Sequence, residues 1–244
     1  MTQNIYDDSA FFAGYSQLPR SLSGLGGAPE WPDLMALLPD LKGLRVLDLG
    51  CGFGWFCRHA AGEGAASVTG IDISENMLAR ARSAGTDPRI AYRRADLEHL
   101  ELEPGSFDLA YSSLALHYVE RLDALLAEVA KALQPGGRFV FSVEHPIFTA
   151  PVVDGWMTGR DGGKVWPVDH YLVEGPRDRK WFVDRVVKQH RTITTYIDLL
   201  TANGFTLQRL IEWGPTDAQI AAHREWAEER QRPMFMLVSA VRAA

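Results

Sequence analysis

The sequence has only two cysteines, no dense run of lysine and arginine, and no apolar run as long as a membrane-spanning helix. Cys51 and Cys57 lack the spacing of a metal-binding pair, so we expect reduced thiols in a cytoplasmic protein. The formal net charge is −6 at pH 7, which argues against nucleic acid as the main partner because its binding proteins usually carry a basic excess. The lack of a long apolar run predicts no membrane span.

What is present is an ordinary globular composition with a regular alternation of strand and helix patterns. The 244 residues are 46% hydrophobic and 23% charged, which suits one α/β domain with an elaboration. Alternating strands and helices predict a doubly wound, mostly parallel seven-stranded sheet whose last strand is antiparallel. We divide this single domain, 1–244, into an N-terminal cap segment (1–43), a core (44–145), an insertion (146–186) and a C-terminal part of the sheet (187–244).

Three glycines at alternate positions follow the first predicted strand, in the segment Val46–Gly54. Such glycines permit positive φ and leave no Cβ between the backbone and a ligand, and the next helix offers free N–H groups. The dinucleotide fingerprint G-x-G-x-x-G/A needs a small residue at position 55, where this chain has Trp55. The third glycine, Gly54, comes one position early, which disfavours a nicotinamide cofactor.

An acidic residue, Asp72, ends the second predicted strand 22 residues after Gly50. A carboxylate in this place can accept hydrogen bonds from a ribose diol. Dinucleotide-binding enzymes use the same interaction. Asp72 therefore indicates a ligand with a nucleoside but does not distinguish a dinucleotide from other nucleoside cofactors. The alternative role is a negative charge that stabilises a helix N-terminus.

The G-x-G-x-G turn with Asp48 two residues before it resembles motif I of the class I S-adenosylmethionine-dependent methyltransferases. The resemblance covers residues 44–145 most clearly, and it is nearest to the small-molecule branch that includes quinone-biosynthesis enzymes. It implies S-adenosylmethionine as cofactor and in-line methyl transfer to a small-molecule acceptor. The cofactor-binding residues that we expect on this basis are Tyr15, Arg20, Asp48, Gly50, Cys51, Gly52, Gly54, Asp72, Ile73, Met77, Asp96, Leu97, Ser112, Ser113 and Leu114.

Some of these roles have plain structural alternatives. The resemblance implies that Asp96 takes the adenine amino group and that the Leu97 N–H meets a ring nitrogen, yet Asp96 could simply cap a helix. It also implies an N-terminal segment folded over the cofactor, with Tyr15 and Arg20 near the methionine carboxylate. Both could instead be surface residues.

Three residues near the ends of later strands are candidate catalytic groups: Glu144, His145 and His117. His145 precedes a proline, which favours an extended backbone, and an imidazole titrates near neutral pH. Either His145 or Glu144 could act as a general base, or the two could form a structural hydrogen-bonding pair. His117 could close over the cofactor or pack behind it. We expect no metal, since no His, Cys and carboxylate cluster has ligand spacing.

The insertion Pro146–Val186 holds four prolines, five glycines and three of the seven tryptophans. Its length and aromatic content favour a substrate lid that supplies the acceptor pocket, and the alternative is a rigid cap. Two other functions stay open from the sequence. One is a nicotinamide-dependent oxidoreductase, and the other is a non-catalytic S-adenosylmethionine-binding module whose acceptor side is blocked. The sequence is compatible with a homo-oligomer but does not indicate one.

Overall fold

The computed structural model describes residues 3–153 and 155–243, and its centre is a seven-stranded sheet with the strand order β10-β11-β5-β4-β1-β2-β3. Two separate hairpins, β6–β7 and β8–β9, lie outside this sheet. The strands are β1 (Arg45–Leu49), β2 (Ser67–Asp72), β3 (Ile90–Arg94), β4 (Phe107–Ser113), β5 (Leu133–Glu144), β6 (Met157–Thr158), β7 (Lys164–Val165), β8 (Gly175–Trp181), β9 (Val183–His190), β10 (Phe205–Trp213) and β11 (Phe235–Arg242).

Helices connect these strands and cover both faces of the sheet. Those of the N-terminal segment and the core are α1 (Ser9–Tyr15), α2 (Pro19–Leu22), α3 (Trp31–Ala36), α4 (Trp55–Gly62), α5 (Glu75–Ser83) and α6 (Leu122–Ala132). The later ones are α7 (Pro146–Thr149), α8 (Ile193–Ala202) and α9 (Asp217–Ala222). In the described part of the chain, none of them is long and apolar enough to cross a membrane.

The sheet has the predicted mixture of strand directions. The pairs β5–β4, β4–β1, β1–β2 and β2–β3 are parallel, whereas β11 is antiparallel to both of its neighbours, β5 and β10. This confirms the doubly wound, mostly parallel fold with an antiparallel last strand. The last strand is inserted between β10 and β5, so β10 forms the edge of the sheet.

The core is two apolar layers, one on each face of the sheet. Because successive strand residues point to opposite faces, Leu47 and Leu49 of β1 belong to one layer and Val46 to the other. The first layer contains the buried stripe of α6, with Leu125 and Val129 at its centre. The chain leaves β1 toward β2 and β3 and then returns to β4 on the other side. This switch point opens a crevice at the carboxyl ends of β1 and β4.

Two elements are irregular, and one boundary differs from the sequence-based expectation. Strand β5 begins at Leu133, because the turn at 134–137 lies within the strand as an irregularity in its pairing with β4. Helix α9 ends at Ala222, where His223 takes an extended φ of −134°, and a 3₁₀ segment follows to Gln231. The insertion runs on to His190, since β9 continues the second hairpin past 186.

Candidate active site

A cavity of about 590 Å³ lies at the switch point of the sheet. Its floor is formed by the residues that follow β1, β2 and β4, and it extends to Glu144 at the end of β5. The N-terminal segment, through Tyr6 and Tyr15, and the β8–β9 hairpin, through Trp181, complete its walls. A cavity of this size and apolar lining is typical of a small-molecule site.

The glycine turn forms part of the floor as the sequence predicts. The backbone N–H groups of Gly50 and Cys51 both donate to the carbonyl of Ile71, at 2.8 and 2.9 Å, which ties the end of β1 to β2. Gly50 has a φ of +74°, and a Cβ there would overlap the Cβ of Ala115. Gly52 has a φ of +51° and open space where its Cβ would be, so bare backbone faces the cavity.

Asp72 connects this turn to the next helix. Its Oδ2 accepts from the N–H of Gly52 at 2.8 Å, and its Oδ1 accepts from the N–H of Ser74 at 2.9 Å. Burial raises the pKa of the carboxyl, an effect that these two hydrogen bonds oppose. A carboxylate has about four lone-pair sites, so both oxygens retain capacity toward a ligand in the cavity.

Asp48 lies below the turn at the end of β1 and is almost completely buried. Burial raises its pKa to about 7, although the thiol of Cys57 donates to Oδ2 at 3.1 Å and partly offsets that effect. Cys51 and Cys57 are both free and buried. The contact between Asp48 and Cys57 spans nine residues across the turn and was not expected from the sequence.

Four of the expected cofactor residues, Ile73, Met77, Asp96 and Leu97, line the cavity in the segments that follow β2 and β3, with Met77 in α5. Asp96 also acts as the cap that the sequence left as an alternative, since its side chain accepts from the N–H of Glu98 at 3.0 Å. Capping and ligand binding are therefore compatible for this carboxylate.

Of the three cofactor residues expected at the end of β4, two line the cavity and one does not. Ser113 and Leu114 line the cavity, and Leu114 has an unusual φ of +53°, a strained conformation of the kind found at functional sites. Ser112 is fully buried and donates to the carbonyl of Leu49 at 2.8 Å. The expectation that all three face the methyl group is corrected for Ser112, because neighbouring strand residues point to opposite faces.

The N-terminal segment does fold over the cavity, as the resemblance implied. Tyr15 and Arg20 both line it, and the Arg20 guanidinium pairs with the buried carboxylate of Glu30 at 3.0 Å. The segment is fastened to the core by Asp7, whose carboxylate accepts from Ser74 Oγ at 2.6 Å and from the Asn76 N–H at 3.1 Å. Asp7 thus supplements the N-terminal cap of α5, a contact across 67 residues that no local pattern could predict.

His117 lines the cavity between the glycine turn and Glu144. Burial lowers its pKa to about 4, so the ring is neutral near neutral pH. Its Nδ1 accepts from the backbone N–H of Glu144 at 3.3 Å, which leaves the proton on Nε2. In this arrangement His117 presents a hydrogen-bond donor and no free basic nitrogen.

Glu144 is paired with a lysine that the sequence analysis did not single out. Lys188 of β9 donates to Oε1 of Glu144, and both side chains are largely buried, with 7% and 13% of their surfaces exposed. The ammonium also lies 4.9 Å from the ring centroid of Trp181. Burial is the largest single effect and opposes ionisation of Glu144, but the charge and hydrogen bond of Lys188 act together with other nearby groups, including Arg179, and hold the pKa of the carboxyl below its usual value.

His145 is placed differently from the two preceding candidates. It is fully buried and is not a cavity-lining residue in the described part of the chain. Its Nδ1 accepts from the N–H of Ile147 at 3.0 Å and so caps α7, while Nε2 lies 2.9 Å from Glu212 Oε1. Both ring nitrogens are engaged in structural hydrogen bonds, but the carboxylate partner is Glu212 and not Glu144, as the sequence-based alternative had it, since Glu144 pairs with Lys188.

The three tryptophans of the insertion lie in two different environments. Trp181 lines the cavity, whereas Trp156 and Trp166 pack around the guanidinium of Arg232, at 5.0 and 4.2 Å from their ring centroids. The ring of Phe148 completes this cluster at 4.6 Å. The expectation that all three tryptophans form the acceptor pocket is therefore corrected for two of them, since a distant cation organises their rings.

Comparisons with known proteins agree with this geometry. A family model described as a methyltransferase domain matches residues 47–141. A crystal structure of an S-adenosylmethionine-dependent methyltransferase from Mesorhizobium loti is 58% identical, with a TM-score of 0.87, over 90% of this chain and 100% of that one. A putative enzyme of the same kind from Listeria monocytogenes is 43% identical, with a TM-score of 0.82, over 89% and 99% of the two chains.

A third relative is similar over less than half of the chain. The malonyl-[acyl-carrier protein] O-methyltransferase of Pectobacterium atrosepticum is 39% identical over 109 residues, which are 45% of this chain and 42% of that protein. The chain thus spans less than half the length of this relative.

Proposed function

Because the chain belongs to the class I S-adenosylmethionine-dependent methyltransferases and S-adenosylmethionine is its cofactor, we propose that it methylates a small-molecule acceptor. The observation that supports the acceptor class is the cavity itself, which continues from the glycine turn to Glu144 and is walled by the β8–β9 hairpin. Nicotinamide chemistry is disfavoured by the family and by Trp55. A non-catalytic module is disfavoured because the insertion walls the acceptor side without filling it.

The residues at the glycine turn fit the cofactor. Gly52 leaves open space where a side chain would lie, and the carboxylate of Asp72 beside it retains lone pairs suited to two ribose hydroxyl groups. We propose that Asp96 and Leu97 hold the adenine, and that Tyr15 and Arg20 lie at the methionine end. When bound, the cofactor supplies a methyl group already activated by a sulfonium.

The protein's own part in the reaction is then to position two reactants and to exclude water. Tyr6, Tyr15 and Trp181 form an aromatic cover, with centroid distances of 5.1 Å from Tyr6 to Tyr15 and 6.1 Å from Tyr15 to Trp181. This cover joins the N-terminal segment to the β8–β9 hairpin above the cavity. We further propose that the protein is cytoplasmic, a location that suits its two free thiols.

The first test of this function is ligand-dependent stability. S-adenosylmethionine and its demethylated product should both raise the melting temperature, and NAD should leave it unchanged. Binding to the native state alone adds about 2.7 kcal/mol at a hundredfold excess over Kd. A shift with NAD and none with the methyl donor would contradict the proposal. Turnover of the methyl donor in the presence of pooled small molecules then tests the acceptor class.

A second test concerns the cover. If the N-terminal segment and the insertion open to admit ligands, cofactor binding should slow hydrogen exchange in 5–20 and 175–190, with little change in β1 and β4. The matched control is Asp7→Asn, which weakens the attachment to α5 and should speed exchange of the N-terminal segment without ligand. Full protection of both segments before ligand is added, unchanged afterwards, would indicate a rigid cap.

A further inference from the structure

The turn that joins β8 to β9 has a strained backbone. Trp181 pairs with Val183, so Phe182 alone makes the turn, and its φ is +60°. Arg185 follows where the pairing of the two strands shifts in register, and its φ is +63°. Side chains of this size rarely take a positive φ, and such a conformation persists only where surrounding contacts hold it. We call residues 181–185 the tip, and contacts with other parts of the protein must hold its conformation.

The N-terminal segment supplies part of these contacts through α1. The buried ring of Phe11 packs edge-on against Phe182 and Trp181, at centroid distances of 5.7 and 5.3 Å. A Cβ placed on Gly14 would lie 2.5 Å from Cδ1 and 2.7 Å from Cγ of Phe182, so this ring lies against bare helix backbone. Glycine within a helix is normally less favourable than alanine. The close approach of the Phe182 ring accounts for glycine at this position.

Gln3 holds the end of the tip through its backbone. The Nε2 of Gln3 donates to the carbonyl of Arg185 at 2.8 Å, and its Oε1 accepts from the N–H of Val187 at 2.9 Å. One side-chain amide therefore binds two backbone groups of β9, and it joins positions 182 residues apart in the chain. Gln3, Tyr15 and Trp181 also line the cavity, so these contacts lie in its cover.

We propose that the N-terminal segment and the tip form a latch that closes the cavity, in which contacts with Gly14 and Gln3 hold Phe182 and Arg185 in strained conformations. The inference rests on the proposed methyl transfer, which requires ligand exchange, and it adds the contacts that control this exchange. When the N-terminal segment lifts, the tip loses the contacts that oppose its strain and relaxes, so both segments open together. Strain in the tip favours the open state, and the contacts with Gly14 and Gln3 favour the closed state.

The release rate of S-adenosylhomocysteine, the demethylated cofactor, measures the lifetime of the closed state. Stopped-flow tryptophan fluorescence can follow release, because Trp55 and Trp181 line the cavity. Gly14→Ala places a methyl group against the Phe182 ring and should speed release by about tenfold. Arg185→Gly relieves the positive-φ strain but keeps the carbonyl that Gln3 binds, so it should slow release by about threefold.

Matched substitutions separate the latch from general effects of alanine and glycine. Gly62→Ala adds a methyl group to a helical glycine that has open space around it, and His170→Gly relieves a φ of +50° at an exposed position of the insertion. Each control should leave the release rate within about twofold of the wild type. In a Phe182→Ala background, Gly14→Ala should no longer speed release, because the colliding ring is absent.

Hydrogen exchange without ligand tests the latch independently of any bound molecule. Gln3→Ala removes the amide that joins the two segments and should speed exchange of both the tip and the N-terminal segment by about tenfold. Faster exchange of the N-terminal segment alone would show that the two segments do not open together, and would overturn the inference.

The release rates give a second way to refute the latch. If Gly14→Ala and Arg185→Gly leave the rate unchanged, or change it in the same direction, the tip does not control opening. If Gly14→Ala does not fold, Arg185→Gly and the exchange of Gln3→Ala decide. Failure of the wild type to bind S-adenosylhomocysteine would count against the proposed function, and the exchange result without ligand would still decide the latch.

Discussion

Replacing Asp48 with asparagine will stabilise the protein progressively more as the pH rises from about 4 to about 7, by about 4 kcal/mol at the upper end. The pKa of Asp48 is raised from 3.8 to about 7 because the carboxyl is buried. Between these values the folded protein keeps the proton and the unfolded chain releases it, so wild-type stability falls with rising pH. Asparagine has no ionisable carboxyl, so the stability of the variant does not fall with rising pH in this way.

Denaturant unfolding of the variant and the wild type at intervals from pH 4 to 8 measures the effect. The difference in unfolding free energy should grow by about 1.4 kcal/mol per pH unit and level off above about 7. Asp198→Asn, at an exposed position of α8, removes the same formal charge and serves as the control. A difference for Asp48→Asn that does not vary with pH would show that the carboxyl titrates normally in the folded protein.

Lys188→Met should lower the unfolding free energy by about 3–5 kcal/mol near neutral pH, because it leaves the Glu144 carboxylate buried and unpaired. The pKa of Glu144 is held below its usual value in the wild type. The stabilisation is therefore present above the unfolded-state pKa, and it is lost as the pH falls through the lower, folded-state pKa. The loss caused by Lys188→Met should accordingly shrink in acid.

The double variant with Glu144→Gln separates charge from packing. Removal of both charges should restore most of the lost stability, since buried ion pairs are often replaceable by neutral groups of similar volume. Lys180→Met, on the same hairpin with 83% of its side chain exposed, should change stability by less than about 0.5 kcal/mol. If the double variant is as unstable as the single one, the lysine contributes through packing alone.

Much of the part of the cavity around the glycine turn was predictable from sequence because its determinants are local. The G-x-G-x-G turn needs positive φ at fixed positions, and strand ends are marked by a change from apolar periodicity to polar residues. These short-range patterns placed Asp72, Asp96 and the turn itself on the correct edge of the sheet. Ser112 was misplaced because the prediction did not apply strand alternation to two adjacent serines.

The end of the cavity near Glu144 was less predictable because its determinants are contacts between distant segments. Glu144 and Lys188 lie 44 residues apart, and nothing near either residue indicates the other. The structural role of His145 depends on its contact with Glu212. That contact forms only because β10 and β5 lie on either side of β11 in the sheet. In the same way, the packing of Trp156 and Trp166 away from the cavity depends on their contacts with Arg232.

The sequence by itself determined the fold class, the family and the position of the glycine turn, since backbone sterics and hydrophobic periodicity act over a few residues. The tertiary structure alone decided which polar side chains line the cavity and which form hydrogen bonds or ion pairs away from it. The physical reason is that burial and charge pairing depend on the whole set of neighbours around a side chain. That set is assembled only when the hairpin of β8 and β9 and the N-terminal segment close over the sheet.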